Sequence, residues 1–159
     1  MLDAHTGQYL AAMATEVFAH GVASGDPTAE RVMLWTRVTT EGRPVEVHWV
    51  VGRDEAMTDV VASGATSASA EHDWTVHVDV GGLEPASTYW YGFRALDTDS
   101  PVARTRTLPE QTDHCRFAMV SCAKFNAGFF NVYPRIAARD DVDFLLHLGD
   151  YIYEASNTP

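Results

Sequence analysis

Phe144-Leu145-Leu146-His147-Leu148-Gly149-Asp150-Tyr151-Ile152-Tyr153 is an apolar run closed by a glycine, a carboxylate and, three residues on, a phenol. The run has the make-up of a buried strand, and Gly149 lets the chain turn sharply where the strand ends. In open parallel sheets, ligands sit in the crevice beyond the carboxyl ends of the strands. Asp150 and Tyr153 therefore fall where a site would. A second run, Arg116-Phe117-Ala118-Met119-Val120-Ser121-Cys122, ends on a thiol. Between the two, Phe129, Val132, Tyr133 and Ile136 recur at three- and four-residue steps, which predicts a crossover helix laying that stripe on the sheet. Pro134 fits this helix if Asn131 is its cap, because proline is tolerated in a first turn. Asp140-Asp141-Val142-Asp143 reads as the solvated loop into the second strand. Strand, helix and strand together would bring Cys122, Asp150 and Tyr153 to one edge.

A thiolate, a carboxylate and a phenolate are all anionic when bound, a donor set suited to a highly charged cation and especially to ferric iron. Zinc sites show paired Cys or His at short spacing, and neither Cys115 with Cys122 nor His72 with His77 has it. The same residues also read plainly as structure: Asp150 as a turn residue, Cys122 as a small buried hydrophobe, Tyr153 as packing. His147, inside the apolar run, reads as a satisfied core or supporting residue rather than a ligand. Ser121 and Lys124 flank Cys122 and are candidates to line an anion pocket, while Asn126 and Asn131 read as helix caps. No Gly-Xaa-Ser-Xaa-Gly elbow is present, so nucleophilic serine chemistry has no support. The two cysteines are seven residues apart along one strand, about 23 Å, and cannot bridge.

Upstream, residues 17 to 109 read as an all-β module. Short β-rich runs fall at Arg31 to Val38, Val45 to Val51, Trp74 to Val80, Thr88 to Ala95 and Val102 to Leu108, separated by turn signals such as Gly25-Asp26-Pro27, Gly81-Gly82 and Asp97-Thr98-Asp99-Ser100-Pro101. Alternation sets the faces. Val45, Val47, Trp49 and Val51 point one way and Glu46 and His48 the other, and Thr75, His77 and Asp79 alternate with apolar neighbours. Leu83-Glu84-Pro85-Ala86-Ser87-Thr88-Tyr89 has the spacing of the corner preceding a late strand in fibronectin type III sandwiches, where a tyrosine hydroxyl bonds nearby backbone. Trp35 and Trp49, on presumed central strands, read as core, and Trp90 as the tryptophan most open to solvent.

The formal charge is −11 over 159 residues, and it is spread: residues 110 to 159 hold seven acids against four bases, the rest fifteen against seven. Nonspecific affinity for nucleic acid comes from basic side chains on phosphates, so this balance argues against a nucleic-acid binder. An anionic substrate stays open, because bound cations reverse the sign of a local field. Nothing approaches the eighteen or so apolar residues of a membrane span, and Met1-Leu2-Asp3-Ala4-His5 lacks the basic start of a signal peptide. Residues 1 to 16 are expected to be a disordered leader remnant.

Val120-Ser121-Cys122, Gly128-Phe129-Phe130-Asn131-Val132-Tyr133, Ile136-Ala137-Ala138-Arg139-Asp140-Asp141 and His147-Leu148-Gly149-Asp150-Tyr151-Ile152-Tyr153-Glu154 resemble, in order, the PhoD family of alkaline phosphatases and phosphodiesterases. His20-Gly21-Val22-Ala23-Ser24-Gly25-Asp26-Pro27 and Val32-Met33-Leu34-Trp35-Thr36-Arg37 resemble that family's N-terminal domain. The resemblance implies a mainly β chain: a fibronectin III or Ig-like sandwich over 17–109, then, over 110–159, the first β-α-β unit of an α/β metallophosphoesterase domain. It implies iron and calcium, with Cys122 and Tyr153 on the iron side, Asp150 bridging, and Asn and His ligands on the calcium side supplied by sequence further along. It implies a phosphate mono- or diester as substrate, export from the cytoplasm, and a parent enzyme of which these residues alone are an inactive N-terminal part. Two other readings stand beside it. A purple acid phosphatase also joins a fibronectin-like domain to a metallophosphoesterase and has an Asp followed three residues later by a Tyr, but opens its first metal motif with Asp where this chain has Ser121-Cys122. The other is a noncatalytic β-sandwich binding module.

Overall fold

The computed structural model describes residues 16–40, 42–124, 130–150 and 153, and the chain divides into two compact units, residues 1–110 and 111–159. The expected leader lies almost wholly outside the described residues, as do Asn126 and Phe129.

Among the described residues of the first unit, eight strands form two sheets. β1 (Val22–Gly25), β2 (Arg31–Arg37) and β5 (Thr75–Gly81) make one, in the order β1-β2-β5. The other runs β4-β3-β6-β7, from β3 (Val45–Gly52), β4 (Val60–Ala68), β6 (Thr88–Ala95) and β7 (Thr98–Asp99), with β8 (Ala103–Arg106) paired to β6 beside β7. Every pairing is antiparallel. Three strands facing a four-strand sheet plus a short hairpin is a fibronectin III-like sandwich, as the alternating runs predict.

The core lies where the alternation puts it. Val32, Leu34, Val47, Val51, Val76, Val80, Tyr89, Tyr91 and Phe93 are buried, while Glu46, His48, His77 and Asp79 are exposed. Trp49 packs against this core, but Trp35 does not share its face: Leu34 and Thr36 on either side of it are fully buried, so Trp35 points outward from β2. Trp74 sits just before β5 with φ 61°, and packs partly against the core rather than opening the strand.

Three elements differ from the sequence reading. β1 and β4 are strands that it did not find. β4 is the long edge strand Val60-Val61-Ala62-Ser63-Gly64-Ala65-Thr66-Ser67-Ala68, pairing with β3 along its length. Its mostly small side chains carry no strong alternation, and at Gly64 the reason is steric: a Cβ there would sit 2.7 Å from Trp49 Cζ2, so the indole ring of β3 occupies the space above that residue. The third is the turn expected at residues 97 to 101. The chain turns one residue sooner, at Leu96 and Asp97, both with positive φ, the pairing of a type I′ hairpin, and re-enters the sheet as β7.

The last residues of the unit tie its turns together. Leu108 N–H donates to Thr28 O (2.9 Å), Ala86 N–H to Leu108 O (3.0 Å), and Thr107 Oγ1 to Glu84 O (2.6 Å). At the same corner Glu84 N–H donates to the hydroxyl of buried Tyr89 at 2.9 Å, the bond anticipated from the Leu83 to Tyr89 spacing.

Among its described residues, the second unit holds one parallel pair, β9 (Phe117–Val120) and β10 (Phe144–His147), and one short helix, α1 (Val132–Ala137). Asn131 occupies the cap position of α1 without a side-chain capping bond, and Pro134 falls in the first turn. Of the predicted stripe, Tyr133 and Ile136 are half-buried and Val132 is exposed. Phe117, Met119, Phe144, Leu145, Leu146 and Leu148 are all exposed, whereas parallel sheets normally have both faces covered.

Candidate metal centre

The site is built where β9 and β10 end. Phe117 pairs with Phe144 and Val120 with His147, and the two chains stay bonded beyond the strands: Leu148 N–H to Val120 O (2.9 Å), Cys122 N–H to Gly149 O (3.1 Å), Ala123 N–H to Asp150 O (2.9 Å). This zipper sets Cys122 beside Asp150. Both residues are in the left-handed region, φ 58° and 55°, and Gly149 between the strand and Asp150 has φ 111°. A side chain at positive φ costs free energy and persists only where its surroundings hold it, which is common at functional sites. Two such residues facing each other give the turns their shape.

The three residues singled out in the sequence meet. The Cys122 thiol donates to Asp150 Oδ2 at 3.4 Å. The Tyr153 hydroxyl stands close enough to the Cys122 and Asp150 side chains for both to act on its proton. Those contacts hold the phenol's proton in place, pushing its pKa up to about 12: the bond to Cys122 counts most, then loss of solvent, then the Asp150 charge. Lys124 Nζ lies 5.9 Å from the centre of the Tyr153 ring, within cation–π range. Ser121 is exposed. Both cysteines are free thiols.

Among the described residues, no three His, Cys, Asp or Glu side chains cluster as a metal site of those types would. The donor set here is instead one thiol, one carboxylate and one phenol. It fits a highly charged cation on chemical grounds, because the thiol proton that Cys122 gives to Asp150 and the phenol proton of Tyr153 are those a metal would displace. The same crowding of acidic groups that raises the phenol pKa becomes favourable once a cation stands among them.

Two features were not read from the sequence. Asp141 is a junction, not a free loop residue: Arg139 Nε and Nη2 donate to its carboxylate at 2.7 and 2.6 Å and Arg116 Nη1 at 3.0 Å. The Arg139 guanidinium first, and Arg116 with it, hold the Asp141 carboxyl at about 2. Asp143 accepts from Arg116 N–H at 2.9 Å, so the acidic loop fastens the start of β9. The other is a bond between Tyr133 Oη and His147 Nε2 at 3.2 Å. A tyrosine inside the helix and a histidine ending the second strand were its signal, legible only once both were put in one unit.

Comparison with known proteins divides the chain in the same order. Residues 4–109 match the model of the PhoD-like phosphatase N-terminal domain, and residues 117–159 match that of the PhoD-like phosphatase itself. A β-sandwich leading into the opening of a phosphatase domain is the class this defines. The chain belongs to the PhoD-like phosphatase family. It is 38% identical over 148 residues to alkaline phosphatase D of Bacillus subtilis (strain 168), a match covering 86% of this chain and 25% of that protein. A solved structure titled "Structure of PhoD" superposes with a TM-score of 0.80 at 36% identity, over 87% of this chain and 28% of its own. The chain thus spans about a quarter of the length of the relatives it matches. These matches favour the PhoD reading over a purple acid phosphatase or a noncatalytic module. No helix among the described residues is long and apolar enough to cross a membrane.

Proposed function

We propose that this chain is the front part of a metal-dependent phosphate-ester hydrolase of the alkaline phosphatase D kind, with residues 17–109 as a sandwich domain and 110–159 as the opening of the catalytic domain. The observation that carries the reading is the meeting of thiol, carboxylate and phenol at the ends of two parallel strands. Cys122 and Tyr153 would hold a ferric ion and Asp150 would be shared between it and a calcium ion, whose Asn and His ligands would come from elsewhere in the parent protein. When bound, the metals supply Lewis-acid polarisation of a phosphoryl oxygen. The chain's own part is to hold them with three anionic side chains and to keep those side chains fixed through the zipped turns. Lys124, beside the Tyr153 ring, offers a positive charge to an incoming phosphate ester. The substrate is a phosphate mono- or diester, and the enzyme works outside the cytoplasm.

Ferric titration of the purified 159-residue polypeptide tests the ligand set. A visible phenolate-to-iron absorption band is expected, without phosphatase turnover, since the calcium-side ligands are not among these residues. Tyr153→Phe removes the band, and Cys122→Ser or Asp150→Asn weakens iron binding by more than about a hundredfold, beyond the 10–100-fold that loss of a supporting residue usually costs. Iron binding that all three substitutions leave unchanged would overturn the assignment.

A further inference from the structure

We propose that His147 is a positioning residue which, with Tyr133, braces the turn carrying Asp150. This inference rests on the metal-ligand reading of Asp150 for its consequence, though not for its geometry. His147 closes β10 and is half-buried. Its Nδ1 lies 3.2 Å from the backbone nitrogen of Gly149, and its Nε2 lies 3.2 Å from Tyr133 Oη. A backbone N–H can only donate, so Nδ1 is the bare nitrogen and the imidazole proton sits on Nε2, directed at the Tyr133 oxygen. The ring therefore links α1 to the first residue of the strained Gly149-Asp150 turn.

The need for a brace follows from the backbone. Leu148 N–H, Gly149 O and Asp150 O are bonded across to the β9 side, and the Gly149 N–H is met by the His147 ring. With φ 111° at Gly149 and 55° at Asp150, relaxation of this turn would move the carboxylate away from Cys122. His147 holds the N–H at the head of the turn, and Tyr133 holds His147. The place of the Asp150 carboxylate is thus set by a residue that would not itself touch a metal, the arrangement by which supporting residues tune metal sites.

Two substitutions separate the ring's two ends. Asparagine at 147 can accept from the N–H two residues on, as in an Asx-turn, reproducing the Nδ1 contact. Glutamine places its amide nearer the Nε2 position. The readouts in the 159-residue chain are the nitrogen-15 shifts of the His147 ring, amide exchange at Gly149 and ferric iron affinity. The native ring is expected as the Nε2–H tautomer. His147→Asn should keep Gly149 exchange and iron affinity within about threefold, while His147→Gln and His147→Ala should speed exchange and weaken iron about tenfold, the worth of one hydrogen bond. Tyr133→Phe, a mild change, should shift the ring resonances and speed Gly149 exchange by a smaller factor. The Nδ1–H tautomer, equal behaviour of the Asn and Gln variants, or unaltered Gly149 exchange in all of them would overturn the proposal. Tautomer and exchange need no metal, so they decide the brace even if the native chain takes up no iron, a result that would count against the ligand reading alone.

Discussion

Single hydrogen bonds at corners carry much of what distinguishes this chain from a generic sandwich. Tyr89 is 1% exposed and its hydroxyl accepts from Glu84 N–H, so Tyr89→Phe removes a partner from a partly buried donor. The expected cost is about 1–2 kcal/mol, read as a lower urea midpoint with unchanged slope. Asp54 makes a different kind of corner: its carboxylate accepts from the N–H groups of Thr58 and Asp59 and from the Thr58 hydroxyl. Thr58 N–H first, then Asp59 N–H, hold the Asp54 carboxyl below its usual range. With the folded pKa below the unfolded value of about 4, the stabilisation is present above that pH and is lost as the pH falls through the folded pKa. Native protein should therefore exceed Asp54→Asn in urea midpoint at pH 7, and the gap should close in acid below pH 4; a gap constant down to pH 2 would contradict it. At this scale the candidate ligands were legible because Cys122, Asp150 and Tyr153 each stand just past an apolar run. Their contacts, and the Tyr133–His147 pair, were not, since a side-chain meeting depends on register and rotamer that spacing does not carry.

At the level of elements, what could be read was what alternates. β3, β5 and β6 announce themselves by β-branched and aromatic residues on alternate positions, and the bounds of these strands and of β2 and β8 fall within a residue or two of the runs read from the sequence. β4 is silent at its middle because its partner supplies the bulk there: Trp49 fills the space over Gly64, leaving no room for a side chain at that position. Gly64→Ala should therefore force the indole aside and cost about 1–3 kcal/mol, measured by chemical denaturation. Adding Trp49→Leu should recover part of that loss, and a double variant no better than additive would argue against the contact. α1 shows the opposite mismatch, with a helical stripe in the sequence but, among the described residues, helix only over 132–137.

Across the whole molecule the two units differ in how much apolar surface they hide. The first encloses a core of fifteen buried apolar residues, whereas in the second Phe117, Met119, Leu146 and Leu148 are between 42% and 60% exposed. Local opening is easiest where few apolar contacts oppose it. Amides of β9 and β10 should exchange faster than those of β2, β3 and β6 by mass spectrometry, and equal protection would show that the parallel pair is held more firmly than its exposure indicates. The bonds that Thr107 and Leu108 make to Glu84, Thr28 and Ala86 carry a consequence for the order of events in the cell. A ribosome delivers the chain from its N-terminus at roughly 5–20 residues per second, and the sandwich cannot lock until Leu108 has emerged. Residues 111–159 emerge after it, so the first unit can close before the turns carrying Cys122 and Asp150 are free to form.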